Sequence, residues 1–561
     1  MKWFDDLWLK EGFATYLAAK ALADLDATSG AWKTFYLGNK PAAYGVDQTA
    51  GTTPLWQALG NLDQAKSNYG AIVYNKAPSV LKQLNYRVGD SAFRAGVQLF
   101  LARHAYANAT WRDLLSAIGK ASHRDLTAWG RQWMLRPGMP EVETQLLLRD
   151  GRIESLKLLQ SPVQPSVSGQ GSWPLRTRLV LAHQGAKCAD ACTDTGAVAA
   201  FTSIDVELRG PVTDVPSARG LPAPRFAFAN GGDYGYQIVR LDSASRRVLL
   251  DGTLARVADP FLRAMLWGTL WDEVRAARLH PARFVRLVLR DLPSETDEQV
   301  APTQLGRLGR VMHAYLVDAT RDSLQATVEQ FLWNGAGDTA RPYGIRRAYL
   351  DSFIGVSRTP AALDRLRSIL AADSAAGDAV KDPLRWEIVT HLMMLGVADA
   401  DARLATQTTR DSTPDGRRRA FTVGAARGAA ATKAEYFGRY FADTTLNEDW
   451  ASGSLGAFNA LEHQAMTRVF LRPALDSLAY IQANRRIFFL GSWLGAFLNG
   501  QTDAEALRIV QQFLREHPLL PLDLRQKVLQ NADELERAVR IRAEFGQQEP
   551  EARPLHLAPS T

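Results

Sequence analysis

The chain has 561 residues, 46% of them apolar, and a formal net charge of +7. This length predicts about three or four domains, and the apolar fraction is sufficient for sizeable cores. The small positive excess is spread along the chain, and the one run of three arginines, Arg417 to Arg419, is most simply a solvated surface, so the sequence carries no signature of nucleic-acid binding. No apolar run is long enough to span a membrane.

The first residues predict a helix that runs from Leu7 to about Leu25. Asp5 and Asp6 are expected at its N-cap and first turn, where free N–H groups and the helix dipole favour carboxylates. Glu11 is the unusual residue, because the positions one turn away on its face are apolar or small. Considered alone, it is most simply a half-exposed surface glutamate, since buried carboxylates are rare unless paired or metal-bound.

Tyr74 precedes a short segment that contains Pro78. Proline is tolerated in the first turn of a helix and is unfavourable further in, so a helix is expected to begin near Ala77. Tyr74 would then stand at or just before the helix N-terminus, from which a side chain can project into a cleft. The alternative is a packed tyrosine whose hydroxyl lies at the surface.

The helical pattern ends near Pro140, and strand-like runs occupy about 141 to 230. Asp150 and Gly151 separate two such runs, which is a strong signal for a β-hairpin. Three more strands are expected, at Thr177–Ala182, Phe201–Leu208 and Arg225–Asn230. The span is therefore expected to form a small antiparallel β-sandwich.

The two cysteines, Cys188 and Cys192, lie close together inside this span. A metal site would need two further ligands, and His183 is the only candidate nearby. A disulfide that closes a small loop is the favoured interpretation, and it would indicate an exported protein. Two free surface thiols are the alternative.

Amphipathic segments return after Tyr236 and continue to about Phe545, the first two beginning at Pro260 and Pro281. Many short helices without strands indicate a stacked helical array. The tail from 547 to 561 is rich in Pro and Glu and is expected to be disordered.

Two stretches carry a resemblance to a known family. Met1 to Tyr16 is similar to the M-K-W-W-x-D-L-W-L-N-E-G-F-A-x-Y segment of zinc aminopeptidases of the aminopeptidase N (gluzincin) type, with Phe4 for the second Trp and Lys10 for Asn. The residues from Tyr74 to Leu81 resemble the family pattern Y-x-K-G-x-x-V-L, with Ala-Pro in place of Gly-Ala.

The resemblance implies a role for each of these two residues. Glu11 would be the third zinc ligand, and the Tyr74 hydroxyl would donate a hydrogen bond to the oxyanion of the tetrahedral intermediate. Tyr74 is preferred over Tyr69 because only Tyr74 has a lysine, Lys76, two residues on.

The H-E-x-x-H motif, which supplies the other two ligands and the general base in that family, is absent from the printed sequence, as is G-x-M-E-N. The chain is therefore expected to be the C-terminal portion of such an enzyme, with Met1 an internal residue taken as a start. Such a portion would be inactive alone and would not tightly hold the one Zn²⁺ ion of its full-length parent.

The fold implied by the resemblance is mainly α with a small β-sandwich. Residues 1–140 would be the helical half of a thermolysin-like catalytic domain, 141–232 the β-sandwich domain, 233–546 an α-solenoid of the HEAT or armadillo kind, and 547–561 a disordered tail.

The implied function is the zinc-dependent removal of N-terminal residues from peptides. A non-catalytic helical-repeat binding or scaffold protein derived from an aminopeptidase is the alternative; the Glu11 and Tyr74 motifs argue against an unrelated solenoid. Oligomeric state and residue preference stay open. Localisation is cytoplasmic by default, or periplasmic or secreted if Cys188 and Cys192 pair and the parent has a signal peptide.

Overall fold

The computed structural model of the chain describes residues 3–183, 198, 200–375, 378–443 and 445–547. The chain divides into two compact units, Met1–Glu273 and Val274–Thr561. Cys188, Cys192 and the tail from 548 onward lie outside the described residues, so the disulfide and the disordered tail stay predictions. Among the described helices, none combines the length and the apolar character needed to cross a bilayer.

The first unit begins with helices, as predicted. They are α1 (Leu7–Leu25), α2 (Ala31–Asp47), α3 (Leu62–Asn68), α4 (Ala77–Val88), α5 (Asp90–Arg103), α6 (Trp111–Ser122) and α7 (Thr127–Gly130). The bounds predicted for α1 are confirmed.

Asp6 is the N-cap residue of α1, as predicted, but its side chain makes no capping hydrogen bond, and Asp5 lies in the 3₁₀ turn before α1 instead of its first turn. Asp5 Oδ1 accepts from the N–H of Leu59 at 2.8 Å, and Asp6 Oδ1 accepts from the N–H of Trp111 at 3.2 Å. Each carboxylate satisfies a backbone donor of a distant segment, and so fixes the start of α1 against its neighbours.

The strands of the first unit form two sheets. They are β1 (Pro140–Arg149), β2 (Arg152–Pro162), β3 (Leu175–His183), β4 (Ala200–Leu208), β5 (Val212–Asp214), β6 (Phe226–Phe228) and β7 (Ile238–Arg240), in the orders β5-β2-β1-β7 and β4-β3-β6. The unit also contains α8 (Pro165–Ser168), α9 (Ser243–Val248) and most of α10 (Pro260–Arg275).

The predicted hairpin is confirmed: β1 and β2 pair antiparallel around Asp150 and Gly151, whose φ angles are 51° and 71°. These positive angles suit the tight hairpin turn that an Asp-Gly pair favours. The prediction that the strands are all antiparallel is wrong at one edge of the four-stranded sheet, where β7 pairs in parallel with β1. The chain reaches β7 only after the second sheet is complete, so no short turn sets its direction.

Two buried ion-pair clusters hold the helices of this unit to the segment that follows β6. Lys76 Nζ lies 2.9 Å from Asp47 Oδ2, with both side chains fully buried, and it also donates to the carbonyl of Gly138 at 2.9 Å. The hydroxyl of Tyr236 donates to the same Asp47 carboxylate at 3.1 Å. In the second cluster, Asp233 lies between Lys40, at 3.0 Å, and Lys82, at 3.4 Å.

The second unit is built from helices. They are α11 (Pro281–Asp291), α12 (Val300–Arg310), α13 (Asp318–Gly337), α14 (Tyr343–Val356), α15 (Pro360–Ala372), α16 (Asp382–Met394), α17 (Ala400–Arg410), α18 (Pro414–Ala425), α19 (Ala430–Ala442), α20 (Glu448–Phe458), α21 (Gln464–Thr467), α22 (Leu471–Asp476), α23 (Leu478–Asn484), α24 (Phe489–Asn499), α25 (Ala504–Glu516) and α26 (Leu522–Phe545).

The starts predicted at Pro260 and Pro281 are confirmed by α10 and α11. The prediction of helices without strands needs one correction, since β8 (Ser374–Ala375) and β9 (Asp378–Ala379) form a two-residue antiparallel pair. Such a short pair is not visible as a period in the sequence. Part of the core of this unit surrounds the fully buried ring of Trp493, which contacts Phe437 and Phe497.

The Lys76–Asp47 pair generates a stability prediction. Lys76→Met leaves the Asp47 carboxylate buried without its cation, which should lower the free energy of unfolding of the first unit by about 3–5 kcal/mol in a urea titration. Lys66→Met breaks a half-exposed ion pair, in which Lys66 Nζ lies 3.1 Å from Asp63 Oδ1, and should lower the free energy of unfolding by less than about 1 kcal/mol.

The double variant Lys76→Met/Asp47→Asn should recover part of the loss, because no charge then stays buried without a partner. If Lys76→Met and Lys66→Met lowered the free energy of unfolding by the same small amount, the importance of the buried pair would be contradicted.

Candidate functional site

Gly12 sets how closely α1 approaches α4. A Cβ atom built on Gly12 would lie 2.5 Å from the Cβ of Ala77 and 3.3 Å from the carbonyl oxygen of Val73. Only glycine allows this contact, since a methyl group there would overlap Ala77. The preceding residue, Glu11, is therefore held beside the turn that leads into α4.

That turn, Ile72–Lys76, is a π-helical turn that continues directly into α4. The N–H of Ala77 bonds to the carbonyl of Ile72, five residues back. Pro78 has no N–H to donate to the carbonyl of Tyr74, so the regular α-helical ladder is interrupted here. The prediction that the helix begins near Ala77 is confirmed by the bounds of α4, but Tyr74 lies inside a helical turn that precedes α4, of a kind often found at functional sites.

Two side-chain contacts attach this turn to α2. Asn75 Nδ2 donates to Asn39 Oδ1 at 2.9 Å, and Lys76 makes the buried pair with Asp47 described above. The turn is thus fixed on both sides, by Gly12 of α1 and by two polar contacts from α2, which gives Tyr74 a defined position.

Tyr74 is partly exposed, and its hydroxyl has no hydrogen-bond partner within the described part of the chain. Burial raises the pKa of Tyr74, and the nearby charges of Glu11 and Tyr69 raise it further. The phenol therefore stays protonated at neutral pH and is free to donate a hydrogen bond. The close packing of Gly12 against Val73 and Ala77 and the effect of Glu11 on the pKa of Tyr74 together place the two predicted site residues in the same region.

Glu11 is largely buried, with 18% of its side chain exposed, which corrects the simplest interpretation of a half-exposed glutamate. Its ion-pair partner is Lys10, whose Nζ lies 3.3 Å from Oε1 and whose side chain is 68% exposed. An exposed lysine holds a carboxylate only weakly. Glu11 is thus available to a ligand, and a carboxylate oxygen suits a zinc ion.

Zinc fits this site only in part. Among the described residues, no group of three or more His, Cys, Asp and Glu side chains is arranged to hold a metal ion. Glu11 therefore supplies one possible ligand, and the described part of the chain supplies no complete set.

A row of aromatic rings lies beside these two residues. The ring centroids of Tyr69 and Tyr74 are 6.2 Å apart, those of Phe4 and Tyr69 are 6.4 Å apart, and those of Trp3 and Phe4 are 5.2 Å apart. These rings form a row of aromatic side chains that ends at Tyr74.

Sequence reasoning predicted Glu11 and Tyr74 as site residues but missed the residues that position them. Gly12 had a visible signal, since an isolated glycine in a helical pattern often has a packing reason. Asp47 had none, because its partner Lys76 lies on a different helix and the pairing depends on the tertiary structure.

Two family models match this chain. Residues 1–133 match the peptidase family M1 domain, and residues 226–537 match the ERAP1-like C-terminal domain. The chain belongs to the aminopeptidase N family.

Named relatives agree with this membership. Aminopeptidase N of Streptomyces lividans is 30% identical over 497 residues, which cover 86% of this chain and 56% of that protein. Probable aminopeptidase 2 of Sulfurisphaera tokodaii is 32% identical over 142 residues, 25% of this chain and 18% of that protein. Leucyl aminopeptidase of Saccharolobus solfataricus is 31% identical over 146 residues, 26% of this chain and 19% of that protein. The aligned part thus spans about half of the first relative and less of the others.

The packing at Gly12 yields a prediction. Gly12→Ala should destabilise the first unit by about 1–3 kcal/mol, because the new methyl group overlaps Ala77. Gly38→Ala in α2 is the matched control: a Cβ there meets nothing within 4 Å, and the change should be neutral or stabilise by up to about 1 kcal/mol.

Thermal unfolding measures both changes. Adding Ala77→Gly should restore part of the stability of Gly12→Ala, since it removes the other methyl group of the overlap. If Gly12→Ala behaved like Gly38→Ala, the close approach of α1 to α4 would be disproved.

Proposed function

We propose that this chain provides one side of the active site of a zinc-dependent aminopeptidase that removes N-terminal residues from peptides. The observation that supports the proposal is the placement of Glu11 next to Tyr74, whose hydroxyl has no other partner among the described residues. Membership of the aminopeptidase N family supports the proposal that these two residues act in one site.

Each residue has a distinct part in the proposed reaction. Glu11 would be a zinc ligand, and a zinc ion at such a site activates water and polarises the substrate carbonyl. Tyr74 would donate its O–H to the oxygen of that carbonyl as negative charge develops there, without bringing a charge of its own. Lys76 does not reach the substrate in this proposal; paired with Asp47, it fixes the turn that carries Tyr74.

The remaining ligands and the general base have to come from an H-E-x-x-H segment, which the printed sequence does not contain. We infer that the chain is inactive without such a segment. In the same proposal the helical part of the first unit belongs to a thermolysin-like domain, and the helices of the second unit form a solenoid. The missing motif is also what favours the second candidate, a non-catalytic binding protein.

Metal analysis of this chain alone gives one prediction. After dialysis against buffer, the protein should retain far less than one zinc ion per chain, because Glu11 is a single ligand. Stoichiometric zinc in the dialysed protein would contradict the incomplete site.

Substitution of Tyr74 gives a second prediction, in a polypeptide that contains both an H-E-x-x-H segment and this chain. Tyr74→Phe removes only the donor, so kcat on an aminoacyl anilide should fall by about 10²–10³ while KM stays nearly unchanged. Zinc content should stay normal. Tyr69→Phe is the matched control and should leave kcat, KM and zinc content nearly unchanged.

Glu11→Gln in the same polypeptide should act differently, because zinc retention and activity should fall together. Glu154→Gln, on strand β2, should change neither.

Full kcat in Tyr74→Phe would refute the role of the phenol. Activity with normal zinc in Glu11→Gln would refute the role of the carboxylate.

A further inference from the structure

The first unit contains a second concave site, in a groove of about 470 Å³ between α6 and the segment that follows it. Four cationic side chains and a single carboxylate line this groove. The cations are Arg112, Lys120, Arg124 and Arg131, and the carboxylate is Asp125. We call this site the α6 groove.

None of the four cations has a carboxylate within ion-pairing distance in the part of the chain that the structure describes. Asp125 Oδ1 accepts from the N–H of Thr127 at 2.8 Å, and the hydrogen bonds of Thr127 and the charge of Arg131 lower the pKa of Asp125, so this carboxylate offsets at most one of the four charges. The nearby Glu207 is paired with Arg87 at 2.7 Å and with Arg209 at 3.1 Å, and Arg124 and Arg112 interact with Glu207 and Asp6 only at longer range. With four cations and one carboxylate in its lining, the α6 groove therefore has a positive excess, and none of its cations has an ion-pair partner among the described residues.

One of the cations is held in place by aromatic rings. The guanidinium of Arg112 lies 4.5 Å from the ring centre of Trp111 and 5.9 Å from that of Trp56. Such stacking restricts the side chain before any ligand arrives. A restricted arginine loses less entropy on binding, and its planar group matches phosphate or carboxylate oxygens in pairs.

The rest of the α6 groove is apolar, with a few hydroxyl groups. Leu115, Leu126 and Leu135 line it together with Trp111, and Ser116 and Thr127 add hydroxyls. Trp111 is only 5% exposed, and its indole N–H has no acceptor among the described residues. A volume of this size is within the range of small-molecule sites.

We propose that the α6 groove binds a small organic anion, namely a phosphate monoester with an apolar body. The unpaired guanidinium groups take the dianionic phosphate, and the leucine and tryptophan side chains take the apolar part. This site is formed by residues other than Glu11, Tyr74 and the aromatic row, so the proposal is independent of the proposed peptidase activity.

Phenyl phosphate and inorganic phosphate are the two probes, titrated into the full chain in a calorimeter at constant ionic strength. At about pH 8 the monoester carries two charges. One equivalent of phenyl phosphate should bind, about tenfold more tightly than inorganic phosphate because of its buried ring. Equal affinities would overturn the apolar part of the proposal, and no binding of phenyl phosphate would overturn the whole.

Two charge variants test the location. Arg112→Gln and Arg131→Gln should each weaken phenyl phosphate binding by about tenfold. Arg103→Gln removes the same charge from α5, outside the α6 groove, and should leave the affinity unchanged. If Arg103→Gln weakened binding as much as the other two, the attraction would come from net charge alone and the site would be disproved.

A third pair of variants keeps the arginines intact. Ser116 is exposed and lines the α6 groove, so Ser116→Glu places a negative charge inside it and should abolish binding, whereas Ser116→Ala should bind normally. Circular dichroism checks that each variant is folded. Binding that survives Ser116→Glu in a folded protein would place the ligand elsewhere and overturn the proposal.

Discussion

The contact between α1 and α4 at Gly12 determines where both predicted site residues lie. Because the two helices meet with no side chain between them at this point, Glu11 of one helix is placed beside the π-helical turn that carries Tyr74. A larger residue at position 12 would separate the helices, and the carboxylate and the phenol with them. Glu11 and Gly12 therefore combine a residue with a proposed chemical role and a residue that makes its position possible.

The other side of the turn is secured by a costly interaction. Burying Lys76 and Asp47 removes both from water, and their attraction offsets this only because further groups complete the cluster. The carbonyl of Gly138 and the hydroxyl of Tyr236 do so. A buried pair of this kind contributes little net stability compared with apolar residues, but it tolerates few alternative arrangements. Its role here is to give one position to the turn next to Lys76, and so to Tyr74.

The sequence was most informative where the determinants are local. The bounds of α1 follow from helical periodicity, and the hairpin at Asp150 and Gly151 follows from turn chemistry. Asp6 takes the N-cap position of α1, but the side chains of Asp5 and Asp6 accept from backbone donors far along the chain, which local sequence could not show. The π-helical turn was missed for a related reason: Pro78 signals a disturbed helix, but neighbouring helices decide what form the disturbance takes.

The proximity of Glu11 and Tyr74 is the central claim, and the ionisation of Tyr74 tests it directly. The pKa of Tyr74 is raised by burial and by the charge of Glu11. With ¹³C-labelled tyrosine, an NMR titration of the chain follows each phenol, and the signal of Tyr74 is the one missing in Tyr74→Phe. Glu11→Gln should lower the pKa of Tyr74, because a neutral amide no longer disfavours the phenolate, whereas Glu154→Gln should leave it unchanged. A pKa of Tyr74 that does not respond to Glu11→Gln would show that the two side chains do not share a site.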